Sequence, residues 1–208
     1  MAREDPRTRP GATPRPAVSL GGTAAALSGL ALFAGLVHGI DEEAVRLVVR
    51  GTAKIAVTLF SLAFATSSLH AIGRSDATKW LLRNRRYLGL SFALAHAGHL
   101  LALGALAIWF PRPFVDDLDP LFLIGGGLAY AFLFAMAATS SDAAFRKLGA
   151  RRWRGLHTAG SYYIWGVFAF SYLPRVTESA EYVVYAALLA IALSLRMARR
   201  FRGSRAFA

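Results

Sequence analysis

The chain has 208 residues, 24 Lys and Arg against 12 Asp and Glu, and a formal net charge of +12. Hydrophobic residues make up 55% and mean hydropathy is +0.42, a balance that suits a membrane protein with basic edges rather than a nucleic-acid binder. Cysteine is absent, which excludes thiolate ligation, iron–sulfur clusters and disulfides.

In chain order, residues 1–15 are rich in Pro and Arg without apolar periodicity, and read as a disordered cytoplasmic tail attracted to anionic lipid. Stretches free of Asp, Glu, Lys and Arg then cover 16–40, 55–73, 87–111, 120–141, 155–174 and 182–195. A spanning helix needs about 20 predominantly apolar residues, which the first five provide or nearly provide. The first is too long for a secretory leader and lacks a convincing cleavage site, so it is expected to stay as a helix. The sixth has 14 residues, and spans if Arg196, Arg199 and Arg200 bury their stems and carry their charged heads to the interface.

The connections alternate in charge. Residues 1–15, 74–86, 142–154 and 196–208 hold 19 of the 24 basic residues, whereas 41–54, 112–119 and 175–181 hold 8 of the 12 acidic ones. Cytoplasmic loops retain Lys and Arg. The expected fold is therefore all-α, an integral bundle of six transmembrane helices over 16–200, multi-pass in a bacterial inner membrane, with a short basic tail over 201–208 and both termini cytoplasmic. Trp80 and Trp153 fall at the inner edge and Trp109 at the outer, as interfacial aromatics do. Only 13 residues follow Leu195, so no flavin- or nicotinamide-binding fold is expected there.

Ionisable groups inside hydrocarbon are costly and commonly functional, and neutral imidazole is the commonest protein metal ligand. With about 1.5 Å of rise per residue, His157 lies roughly 5 Å and His70 roughly 6 Å from the cytoplasmic edge. His96 lies about 15 Å and His99 about 20 Å in, on nearly one helix face, and His38 belongs near the outer edge. Two depths of histidine suit a transmembrane electron path through two haems. A lone membrane histidine also serves as a hydrogen-bond donor to Ser, Thr or a carbonyl, a reading that weighs most for His38 and His70. The absence of Asp, Glu, Lys and Arg from the spans speaks against a transporter or proton pump.

Two motifs surround these histidines: Arg85-Arg86-Tyr87-Leu88-Gly89-Leu90 with His99 downstream, and Ala138-Thr139-Ser140 followed by Arg146-Lys147-Leu148-Gly149, Trp153 and Leu156-His157. In order and spacing, over roughly residues 50–172, they resemble the ferric reductase-like transmembrane family. The resemblance is strongest to its small branch without a dehydrogenase domain, the haem-binding membrane subunits of bacterial methionine sulfoxide reductase systems. It implies haem b, one or two per chain, held by His on the third and fifth spans, with His99 and His157 as the matching iron ligands. It further implies electron transfer from a separate donor, a cytoplasmic flavoprotein carrying flavin or a quinol, to an external acceptor protein or ferric ion.

The family places a second His 13 residues after the first on the fifth span, where this chain has Phe170. By depth that residue is expected to face His99. The outer iron then takes His38 or His96, or is five-coordinate, or is absent. The family's larger members carry a His where Arg86 stands, so His157 also needs another partner, for which depth favours His70. Arg86 and Arg154 belong to an inner arginine cluster suited to haem propionates, anionic lipid or an acidic flavoprotein, or to setting topology alone. Gly125, Gly126 and Gly127 are expected to serve helix packing. A haem-free family member acting as a membrane scaffold or partner subunit is the alternative.

Overall fold

Helix starts in this chain are set by short polar side chains. Asp41 accepts from the Ala44 amide at 2.8 Å, Ser75 forms a reciprocal capping box with Thr78, Asp119 accepts from Leu121 ahead of a helix that opens on Pro120, and Ser141 accepts from Ala144. The computed structural model describes residues 16–39, 41–116 and 118–205, so the tail over 1–15 and residues 206–208 lie outside it. The described residues form α1 (Pro16–His38), α2 (Glu42–Ile72), α3 (Asp76–Trp109), α4 (Pro111–Asp116), α5 (Pro120–Ala138), α6 (Asp142–Leu148), α7 (Ala150–Tyr172), a 3-10 turn (Pro174–Thr177) and α8 (Ala180–Arg205). Among them there is no strand, and the chain is a helical membrane bundle.

Several of the expected connections are largely helix. α2 begins at Glu42 rather than after Lys54, because Asp41 caps it, Glu42 and Glu43 sit at its positive end, and they pair with Arg46 and Arg50 along one face. α3 likewise begins at Asp76, so most of the inner basic segment is its first turns. At 31 and 34 residues these helices run roughly 46 and 51 Å, well beyond a hydrocarbon layer of about 30 Å. Their charged ends therefore stand in the interface or in water.

Five helices are long and apolar enough to cross a membrane, over Leu20–His38, Glu42–Ile72, Asp76–Trp109, Pro120–Ala138 and Ala180–Phe201. α8, the span that looked short, is among them. α7 is not, although it packs between α5 and α8 as a full 23-residue helix. Its apolarity is lowered by Arg151, Arg152, Arg154, His157, Thr158, Ser161, Tyr162 and Tyr163, and several of these face an internal cavity. Large apolar side chains such as Leu36, Leu101, Ile108 and Ile124 are exposed on the outside of the bundle, as a lipid-facing surface requires.

The core is a cluster of rings from three helices. Phe60 of α2 lies 5.3 Å from each of Phe64, Phe92 of α3 and Phe168 of α7, centroid to centroid, all buried. Around it α2 packs on α3 and α8, α7 on α5 and α8, and α1 on α2 and α3. Gly51 lets α1 approach, with Leu30 occupying the space a Cβ would need, and Gly160 admits Met136 and Phe132 of α5. Within the triple glycine, Gly125 meets α7, its carbonyl accepting from the Tyr163 hydroxyl at 3.2 Å, whereas Gly126 and Gly127 have nothing within 4 Å of a Cβ position.

Candidate functional site

A cavity of about 660 Å³ opens between α2, α3, α5, α7 and α8 at the end of the bundle where the basic segments gather. Its walls are apolar and largely aromatic: Phe60, Phe64, Phe92, Leu133, Met136, Phe145 and Trp153, with Ala63, Gly89, Ala93 and Ala137 leaving flat clearance. Its lining includes a single histidine, His157, and four arginines, Arg85, Arg86, Arg154 and Arg196.

His157 is held by its own helix and by the end of α5. Trp153, one turn earlier on α7, stacks on its ring with centroids 4.1 Å apart, and the Trp153 indole N–H donates to the Thr139 carbonyl at 2.9 Å. The Thr139 hydroxyl lies 3.2 Å from His157 Nε2 and gives its own hydrogen to the Ala135 carbonyl at 2.7 Å. A hydroxyl has one hydrogen, so the lone pair of Thr139 receives the Nε2–H of His157. The motif Thr139…Trp153…His157 is thus one hydrogen-bonded unit, which explains its spacing in the sequence.

Arg86, at the expected cofactor position, pairs with Asp142 at the start of α6 and so ties α3 to α6 across the mouth of the cavity. The guanidinium holds the Asp142 carboxyl below the usual carboxylate range, through its hydrogen bond first and its charge second. Arg154 also lines the cavity. Arg196 departs from expectation. Instead of carrying its head out to the interface, it turns inward, its guanidinium carbon 4.0 Å from the Phe64 ring centroid and 4.9 Å from that of Tyr162. A basic residue closing a short apolar run reads as an anchor; no pattern in the sequence marks this one as inward.

The remaining histidines lie elsewhere. His70 ends α2 and gives its Nδ1 hydrogen to Thr78, 3.2 Å away, whose hydroxyl is committed to the Gly73 carbonyl at 2.6 Å. It joins α2 to α3 and is not part of the cavity lining, so the structure does not bring His70 to His157. His38 is exposed at the last turn of α1. His99 faces α2, with Nδ1 3.0 Å from the Val49 carbonyl oxygen and 3.2 Å from Thr52 Oγ1. It sits six residues, about 9 Å, beyond Ala93, the deepest α3 residue of the cavity, so His99 and His157 occupy separate levels.

His96, one turn before His99, is the α3 histidine that reaches α5 and α7. Its ring stacks on Tyr130 at 4.7 Å and meets Phe168 edge-on at 5.5 Å, and its Nδ1 is buried without a hydrogen-bond partner among the described residues. Phe170 does not face His99. It packs against Phe122, the rings tilted by 46° with centroids 5.2 Å apart, is 50% exposed, and lines a second cavity of about 410 Å³ between α5 and α7 with Gly125 and Gly126. Equal depth on two helices does not fix direction: three residues separate His96 from His99, enough to turn one toward α7 and the other toward α2.

The donor set and shape of the inner cavity fit a flat amphipathic group: an imidazole for a metal, rings for the faces, small residues for clearance and guanidinium groups for acidic substituents. Around His99 the donor is suitable, but the neighbouring rings of His96, Tyr130, Phe92 and Phe168 pack on one another. A membrane helix bundle with a histidine in an arginine-rimmed, aromatic-walled chamber has the architecture of a membrane-embedded cofactor-binding protein.

Sequence comparison agrees. The chain is 30% identical over 160 residues to the protein-methionine-sulfoxide reductase heme-binding subunit MsrQ of Azospira oryzae, covering 73% of this chain and 66% of that protein, about two thirds of its length. It is 31% identical over 193 residues to MsrQ of Salmonella enteritidis, covering 82% and 85%. The magnetosome protein MamZ of Paramagnetospirillum magneticum is 30% identical over 148 residues, covering 69% of this chain and 22% of MamZ. No protein-family model and no solved structure matches. The chain belongs to the MsrQ family, as its histidine and arginine motifs implied.

Proposed function

We propose that this protein is a membrane electron-transfer subunit that binds haem b in the inner cavity through His157 and passes electrons across the membrane to an external acceptor. The observation that carries this reading is the cavity itself, where His157, stacked on Trp153, shares a chamber with four arginines. Haem b, when bound, supplies a one-electron iron couple. The chain supplies the rest. His157 offers a ring nitrogen, exchanging its bond to Thr139 if it ligates through Nε2; Trp153 fixes the plane of the imidazole; Phe60, Phe64 and Phe92 exclude water; the arginines pair with propionate carboxylates.

The electron donor is a separate cytoplasmic flavoprotein or a quinol, and the acceptor lies outside, in keeping with six spans, both termini cytoplasmic, and α7 as the fifth span within the bundle. His99, held through Nδ1 by the Val49 carbonyl, is the candidate ligand of a second site at the outer level, which requires the packed rings of His96, Tyr130, Phe92 and Phe168 to move apart. Absorbance of the purified protein tests donor and cofactor together: a bound haem reduced only when a flavoprotein or quinol is supplied fits, and reduction by a nicotinamide cofactor alone contradicts the donor assignment.

A further inference from the structure

Arg196 closes the α8 wall of the inner cavity on the side of Phe64 and Tyr162. Its Nη1 is buried and without a hydrogen-bond partner among the described residues. The cavity carries one carboxylate, Asp142, against its four guanidinium groups, and that carboxylate is engaged by Arg86. Arg85 reaches the Ala63 carbonyl at 3.4 Å. Stacking on two rings offsets part of the cost of placing a guanidinium in an apolar wall, but it satisfies none of the in-plane N–H donors. A buried charged donor facing an apolar chamber calls for an anionic acceptor inside that chamber.

We infer that Arg196 is the internal anion anchor of the cavity, donating to a propionate carboxylate of the tetrapyrrole and so fixing which edge of it faces the cytoplasmic end. The inference rests on the haem reading above and names a positioning residue for it. His157 would hold the group at one point, and a single imidazole contact would leave it free to turn about that point. A second contact at the edge removes that freedom, and the planar fork of arginine suits a carboxylate. Phe64 and Tyr162 hold the fork side-on, and a side-chain hydrogen bond to Tyr162 takes one part of it, which leaves the buried Nη1 for the ligand.

The test titrates haem and its dimethyl ester, which lacks the carboxylate charges, into the full-length apoprotein in lipid nanodiscs, following the Soret band. Wild type is expected to bind the free acid at least about tenfold tighter than the ester. R196Q should bind the ester as wild type does, which reports an intact cavity, and lose most of its preference for the acid; R196K should keep a preference. R196Q that discriminates as wild type does overturns the assignment of Arg196 and leaves the haem reading standing. Wild type that binds neither form overturns both. Should R196Q fail to insert, R196K decides alone: preference kept supports the ion pair, and preference erased with the charge in place overturns it.

Discussion

Nδ1 of His99 lies 3.0 Å from the carbonyl oxygen of Val49. A carbonyl only accepts, so the proton sits on Nδ1 and Nε2 presents a lone pair. Fixing one ring nitrogen on a backbone carbonyl is how proteins orient histidine toward a metal. His99→Ala should therefore lower the haem-to-protein ratio of the purified protein while leaving the haem of the inner cavity in place. An unchanged ratio would remove His99 from the ligand set.

Phe170 turns away from His99 and packs against Phe122. Restoring the family's second histidine at that position, by Phe170→His, should add no haem, because the new imidazole would face the groove between α5 and α7. Haem stoichiometry of the variant checks this directly, and a gain would mean that α7 rotates when the cofactor binds.

The ring cluster at the centre of the bundle carries much of its packing. Phe60→Ala removes contacts to Phe64, Phe92 and Phe168 at once and should cost about 3–5 kcal/mol, whereas the half-exposed Phe170→Ala should stay within about 0.5 kcal/mol of wild type. Thermal unfolding in detergent separates the two.

Much of the bundle was legible because hydropathy and loop charge are one-dimensional signals: charge-free runs locate spans, and Thr139, Trp153 and His157 stand at a spacing their hydrogen bonds explain. Direction around a helix axis was not legible. His96 and His99 differ by one turn yet face different neighbours, and Arg196 turns in where Arg199 and Arg200 stay exposed. α7 shows the same limit from the other side. Its charge-free run over 155–174 marks a span in the sequence, yet the polar residues that build the cavity lower its hydropathy below that of the other five long helices.

Arg86 and Asp142 close the mouth of the cavity through an exposed ion pair, with the Asp142 carboxyl held below its usual range by the guanidinium. A carboxyl lowered on folding stabilises the fold above its ordinary titration range, and that contribution is lost as pH falls through the lowered value. Asp142→Asn should therefore unfold somewhat earlier than wild type at neutral pH, with the difference shrinking on acidification below about pH 4. A difference that persists in acid would assign the effect to the α6 turn rather than to the pair.

The central claim is that His157 holds a haem in the inner cavity. The reduced-minus-oxidised visible spectrum of purified wild type and His157→Ala, both shown to be membrane-inserted, tests it most directly. Wild type should give a Soret band with sharp α and β bands, and His157→Ala should lose the inner-site component. A colourless wild type, or a variant with an unchanged spectrum, would contradict the account.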